Sequence, residues 1–71
     1  MADSVYKFLE LVGTSSESWE KAAAAAVKQA SKSVRDLRVA EIVQLDVTIE
    51  NGKIKSYRAK VKLSFKIESK G

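Results

Sequence analysis

The sequence predicts a single α+β domain over residues 1–71, ordered β-α-β-β, with a three-stranded antiparallel sheet wrapped around one helix. Three observations predict it. "VYKFLELV" (5–12) is a short β-branched, aromatic and aliphatic run closed by Gly13. "SWEKAAAAAVKQASKSVRD" carries apolar residues at helical spacing, and two alternating runs flank Asn51-Gly52, a strong two-residue hairpin signal.

After strand one, "GTSSESWEK" opens a helix, with Thr14 and Glu17 at capping-box spacing and Ser16 and Ser18 as competing N-caps. Trp19, Ala23, Ala26, Val27, Ala30 and Val34 fall on one helical face, and Lys21, Lys28, Lys32 and Arg35 lie mostly off it. The alanine run 22–26 reads as packing, because alanine is the best helix former and its small side chain lets a helix sit close to a sheet. Strand two runs from about Arg38 to Glu50. Strand three continues to about Glu68, with Tyr57, Ala59, Val61, Leu63 and Phe65 alternating against Arg58, Lys60, Lys62, Ser64 and Lys66.

An antiparallel sheet built on this order places strand three between the other two. A two-residue turn pairs Glu50 with Lys53, and counting outward pairs Val43 with Lys60, Ile42 with Val61, Glu41 with Lys62 and Ala40 with Leu63. Paired residues share a face. Ala40 and Ile42 then join Ala59, Val61, Leu63 and Phe65 under the helix as the core. The opposite face holds Val39, Val43, Leu45, Val47, Ile49 and Ile54 beside the row of cations. Strand two extends ~43 Å and a helix of about 17 residues ~26 Å, so the hairpin overhangs its helix. Uncovered apolar surface and overhanging strands predict association with further copies. A β-bulge would shift the register by one residue and change these faces.

Composition narrows the chemistry. A 71-residue chain is near the lower limit for a self-sufficient core, and it contains neither cysteine nor histidine. Disulfides, thiolate metal sites, the commonest general base and the commonest transition-metal ligand are therefore excluded. Oligomerisation or hard-cation binding remains to supplement the core. No apolar run is long enough to span a bilayer, and "MADSVYKFLE" lacks the basic-then-apolar layout of a signal peptide, so a cytoplasmic location is expected. No nucleophile–base pair is available, which points away from an enzyme.

The +4 net charge permits an anionic partner without demanding one. "GTSSES" lacks phosphate-cradling glycines and reads as capping. Arg58, Lys60, Lys62 and Lys66 make a row that would attract phosphates or nucleic acid, but one nearby aromatic on that side is too few for a base-stacking platform. Trp19 reads as a core or interface anchor. Asp46 and Glu50 lie on one face of strand two and Glu41 on the other, with Glu41 opposite Lys62 as an ion pair. Their spacing matches no EF-hand, and one chain cannot supply the roughly six to eight oxygens calcium prefers. Repeated about a symmetry axis, one carboxylate becomes a ring.

"VYKFLELVGTS", the alanine-rich helix, "DLRVAEIV", the "NG" hairpin and "YRAKVKLSFKIE" resemble the dodecin family in order and spacing over nearly the whole length. The resemblance implies assembly into a hollow dodecamer of cubic (tetrahedral) symmetry, which would cover the second face. It also implies a non-enzymatic flavin (FMN or riboflavin) binder. In the family, flavins stack in pairs near symmetry axes on a tryptophan at the start of strand two, and a glutamine on strand three bonds the ring edge. Here Val39 stands at the tryptophan position, Arg58 at the glutamine position, and Glu41 flanks the site. "SWEKAAAAAV" with "DLRVAEIVQLDV" is more similar to a subgroup described as calcium dodecins. The expectation is a homododecameric shell that binds, stores or buffers a small ligand. A hard cation such as calcium, held by Asp46, Glu50 and Glu41, comes first. A flavin, or a nucleic-acid or acidic-protein partner of the basic surface, is the alternative.

Overall fold

A computed structural model describes residues 4–67. Its elements are β1 (Tyr6–Ser15), α1 (Trp19–Ala30), β2 (Leu37–Glu50) and β3 (Lys53–Lys66). The sheet is antiparallel with β3 in the centre, as predicted. The last strand ends at Lys66, one residue before the described Ile67, and Glu68, to which it was expected to continue, lies outside the described residues.

Gly13 does not close β1, which runs on to Ser15. A Cβ at Gly13 would fall on the Ala22 carbonyl oxygen and 3.1 Å from Ala26 Cβ. The glycine therefore serves the close approach of the helix, and its neighbour across the ladder, Ala59, is fully buried. The alanine run does what its size permits: Ala22, Ala26 and Ala30 form the buried stripe of α1, with Ala23 and Val27 at its border.

Ser18 is the N-cap, its side chain accepting from the Lys21 amide at 3.1 Å. The Thr14–Glu17 capping box does not form, since Thr14 belongs to β1 and the Glu17 side chain pairs with Lys21. The helix has 12 residues rather than about 17. The Ser31 hydroxyl competes for a backbone partner, bonding the Lys28 carbonyl. Val34 therefore lies past the helix, although its amide still reaches the Ala30 carbonyl at 2.9 Å. Asp36, at φ 61°, turns the chain into β2.

At the hairpin, Asn51 (φ 54°) and Gly52 (φ 74°) are both left-handed, the signature of a type I′ turn. Glu50–Lys53, Ile42–Val61, Glu41–Lys62 and Ala40–Leu63 pair as counted. The stretch between them does not. Lys55 is an extra residue on β3 and Val43 an extra residue on β2, so these two bulges cancel and shift the segment between them, while a third irregularity at Arg38 pairs Leu37 with Phe65. Gln44, not Val43, pairs with Lys60. Leu45 pairs with Ala59 and Val47 with Tyr57, which moves both to the helix face.

Sharing that face does not bury them. The helix rests on β1 and β3 and scarcely reaches β2. Ile42 and Leu45 stay 47% and 48% exposed, and Ala40 is exposed with them, so neither Ala40 nor Ile42 belongs to the core. The core is instead Ala22, Ala26, Ala30, Ala59, Val61 and Leu63, bordered by Leu9, Leu11 and Leu37. The overhang exceeds expectation: α1 spans ~18 Å against ~46 Å for β2, and Lys53–Ser56 have no partner on β1. The radius of gyration is 15.0 Å, against ~11 Å for a compact chain of this length. The molecule is a half-covered sheet.

Candidate functional site

On the face turned away from the helix, β3 supplies the central file and its neighbours flank it row by row. Arg58 lies between Thr14 and Asp46, Lys60 between Val12 and Gln44, Lys62 between Glu10 and Glu41, and Ser64 between Phe8 and Val39. Tyr6 pairs with Lys66 at the end of the file.

Arg58 and Asp46 form the best-defined contact. Nε donates to Oδ1 at 2.7 Å and Nη2 to Oδ2 at 2.9 Å, a bidentate fork. The hydrogen bond from Arg58 holds the Asp46 carboxyl below its ordinary range, with the guanidinium charge adding to it and partial dehydration opposing it. Arg58 is correspondingly raised, first by the same bond. Both side chains remain more than a third exposed, so solvent screens the pair. The Asp46 carbonyl accepts from Trp19 Nε1 at 3.0 Å, and the Trp19 ring meets Tyr57 edge-on with centroids 5.1 Å apart. Trp19 thus anchors the helix start to the hairpin.

The three candidate metal ligands come to one face. With Val43 bulged, alternation sets Glu41 on the side of Asp46 and Glu50 instead of opposite them. They do not converge, since the Glu41 and Asp46 rows are four β3 residues apart, ~13 Å. Glu50 lies 3.4 Å from Lys55 Nζ. Among the described residues Glu41 makes no ion pair within 4.0 Å, despite facing Lys62, whose Nζ sits 4.8 Å from the Phe8 ring centroid. Also among the described residues, no three acidic, histidine or cysteine side chains cluster to hold a metal. Within one chain the carboxylates therefore do not make a calcium site. Glu10, across Lys62 from Glu41, was not singled out from the sequence because its place depends on the β1–β3 register.

The two flavin-position residues are also separated. Val39 pairs with Ser64 and Arg58 lies six residues along β3, ~20 Å away. No single chain brings both to one ring. Val39, 60% exposed, borders a recess of about 140 Å³ lined with Val27, Leu37, Ala40 and Leu63. The basic file differs from expectation in two ways. Two exposed aromatics, Tyr6 and Phe8, share its face, and Glu10, Glu41 and Asp46 are interleaved with its cations.

The chain is a small β-α-β-β domain whose core leaves an apolar β2 exposed and whose candidate ligand groups lie too far apart in one chain to meet. Residues 5–68 match the family model described as Dodecin, and the chain belongs to the dodecin family. It is 49% identical over 65 residues to the calcium dodecin of Mycobacterium tuberculosis, with 90% of each chain covered. To the dodecin of Thermus thermophilus it is 39% identical over 64 residues, covering 90% of this chain and 93% of that one. Among solved structures, the dodecin of Streptomyces coelicolor superposes with a TM-score of 0.90 at 33% identity, covering 99% of this chain and all of that one. The structure of the calcium dodecin from Mycobacterium tuberculosis superposes with a TM-score of 0.80 at 46% identity, covering 96% and 97%. No described helix is long and apolar enough to cross a membrane.

Proposed function

We propose that this chain is the subunit of a non-enzymatic, cytoplasmic homododecameric shell that binds and buffers a hard cation, calcium first. The carboxylates of Glu41, Asp46 and Glu50 from neighbouring subunits serve as its donors. The observation that carries the reading is the Val43 bulge, which sets these three residues on one sheet face, where the Glu41 carboxylate has no cationic partner among the described residues. A carboxylate that spends no free energy on leaving a lysine or arginine is the better first donor. Asp46 would have to exchange Arg58 for the ion, so it ranks behind Glu41. The 49% identity to a calcium dodecin supports the same ligand class.

A flavin is the weaker alternative. Val39 offers no ring to stack on, and Arg58, engaged with Asp46, presents no carboxamide to a ring edge. Polyanion binding is weaker still, because three carboxylates interrupt the basic file.

Calorimetric titration of the assembled, demetallated protein with calcium tests the reading. Saturable binding that weakens at least tenfold in Glu41→Gln, with the assembly intact, is expected. Binding unaltered in Glu41→Gln, Asp46→Asn and Glu50→Gln alike would overturn it.

A further inference from the structure

We propose that the recess around Lys60 on the open sheet face is a small-oxyanion site, taking one phosphate-sized anion through Lys60, Gln44 and the free edge of Arg58. The recess measures about 150 Å³ and is lined by Val12, Gln44, Asp46, Arg58 and Lys60. Its neighbours along the file each face at least one carboxylate. Arg58 faces Asp46 and Lys62 lies between Glu10 and Glu41. Among the cations of the file flanked on both sides, Lys60 alone has two uncharged neighbours, Val12 and Gln44, and it makes no ion pair among the described residues.

The donors suit an oxyanion. A lysine ammonium carries three N–H groups, a glutamine carboxamide two, and a guanidinium five in a planar fork. Arg58 spends Nε and one Nη2 proton on Asp46, which leaves Nη1 for a ligand. Asp46 is the one negative group lining the recess, and its two oxygens are both turned to Arg58. The bulge is what makes the site. In an uninterrupted register Val43 would face Lys60, whereas the extra residue substitutes the carboxamide of Gln44. At about 150 Å³ the recess matches a small anion, whereas organic-ligand pockets measure roughly 300 Å³ or more. The shared chemistry is that of a phosphate group, free or as a small monoester.

The recess shares Asp46 with the proposed cation donors, so it is tested in calcium-free buffer on the assembled full chain. Inorganic phosphate is titrated at constant ionic strength and followed by phosphorus NMR line width. Saturation at one phosphate per chain is expected, with affinity at least tenfold weaker in Lys60→Met and unchanged in Lys66→Met, which loses the same charge at the end of the file. Equal weakening in the two variants, or no saturation in the wild type, would show a diffuse charge effect and overturn the site. Should Lys60→Met fail to assemble, Gln44→Leu keeps the charge and removes the carboxamide. Several-fold weaker binding is then expected, and unchanged affinity counts against the proposal. Glycerol 3-phosphate distinguishes the sources: affinity equal to that of phosphate assigns the site to monoesters, and markedly weaker affinity assigns it to the free ion.

Discussion

Asp46 and Arg58 sit directly opposite one another on β2 and β3 and are joined twice, at 2.7 and 2.9 Å. This one pair decides several properties of the open face. It commits both Asp46 carboxylate oxygens and two of the Arg58 N–H groups to each other, and leaves the Nη1 edge of the guanidinium free. Through the Trp19 bond to the Asp46 carbonyl it also sits where the helix start meets the hairpin.

Acid should weaken the hairpin through this pair. The folded Asp46 carboxyl is held below its ordinary 3.8, so its contribution is complete above that value and disappears as pH falls through the lower folded value. Melting temperatures of the wild type and Asp46→Asn, followed from neutral pH down to about pH 2, should differ most at neutral pH and converge in acid. A constant difference would mean the carboxylate charge is immaterial.

The two described glycines should respond differently to alanine. At Gly13 the new Cβ meets helix backbone, and overpacking of this kind costs about 1–3 kcal/mol or more. At Gly52 nothing lies within 4 Å and only the left-handed φ of +74° is strained, a cost of about 1 kcal/mol. Urea denaturation of both variants should therefore rank Gly13→Ala as the more damaging, and the reverse order would contradict the close approach of α1 to β1.

Apolar β2 surface beside the helix should be covered in the assembly. Leu45→Asp, and likewise Val43→Asp, places a charge on that half-exposed surface and should shift sedimentation from the oligomer to smaller species. An intact oligomer in both variants would mean that this surface is not between subunits.

Restoring the family's aromatic and carboxamide should restore a flavin. Val39→Trp with Arg58→Gln is expected to raise riboflavin affinity by about tenfold, equivalent to about 1.4 kcal/mol. This is in keeping with one added aromatic stack, read as quenching of flavin fluorescence. Because the two positions lie ~20 Å apart in one chain, the gain should also require the assembled state. Unchanged quenching in the assembled double variant would remove these positions from the ligand site.

The secondary elements, the hairpin turn and the central position of β3 were legible in residue order, since each rests on local signals: alternation, alanine content, and Asn-Gly at a left-handed turn. The end of β1 was not. Gly13 looks like a terminator in isolation, and only the helix packed against it explains a glycine inside a strand. The apolar spacing continues to Val34 and predicts a helix of about 17 residues, whereas α1 ends at Ala30, where the Ser31 hydroxyl turns back to the Lys28 carbonyl.

The candidate site divides along the same line. The sequence by itself determined which chemistries are present: no thiol, no imidazole, carboxylates on β2 and a basic file on β3. It also determined the family, because the pattern covers nearly the whole chain. Which of these groups share a face follows from the register of the folded sheet. The bulges at Val43 and Lys55 leave no alternation break that a reader of one strand can see, yet between them they shift the pairing by a residue and exchange inside for outside. Glu41 thereby joins Asp46 and Glu50, Gln44 replaces Val43 beside Lys60, and Leu45 turns to the helix side. The physical reason is that side-chain direction in a sheet is set by the partner strand's register, a non-local quantity, while composition and periodicity are local ones.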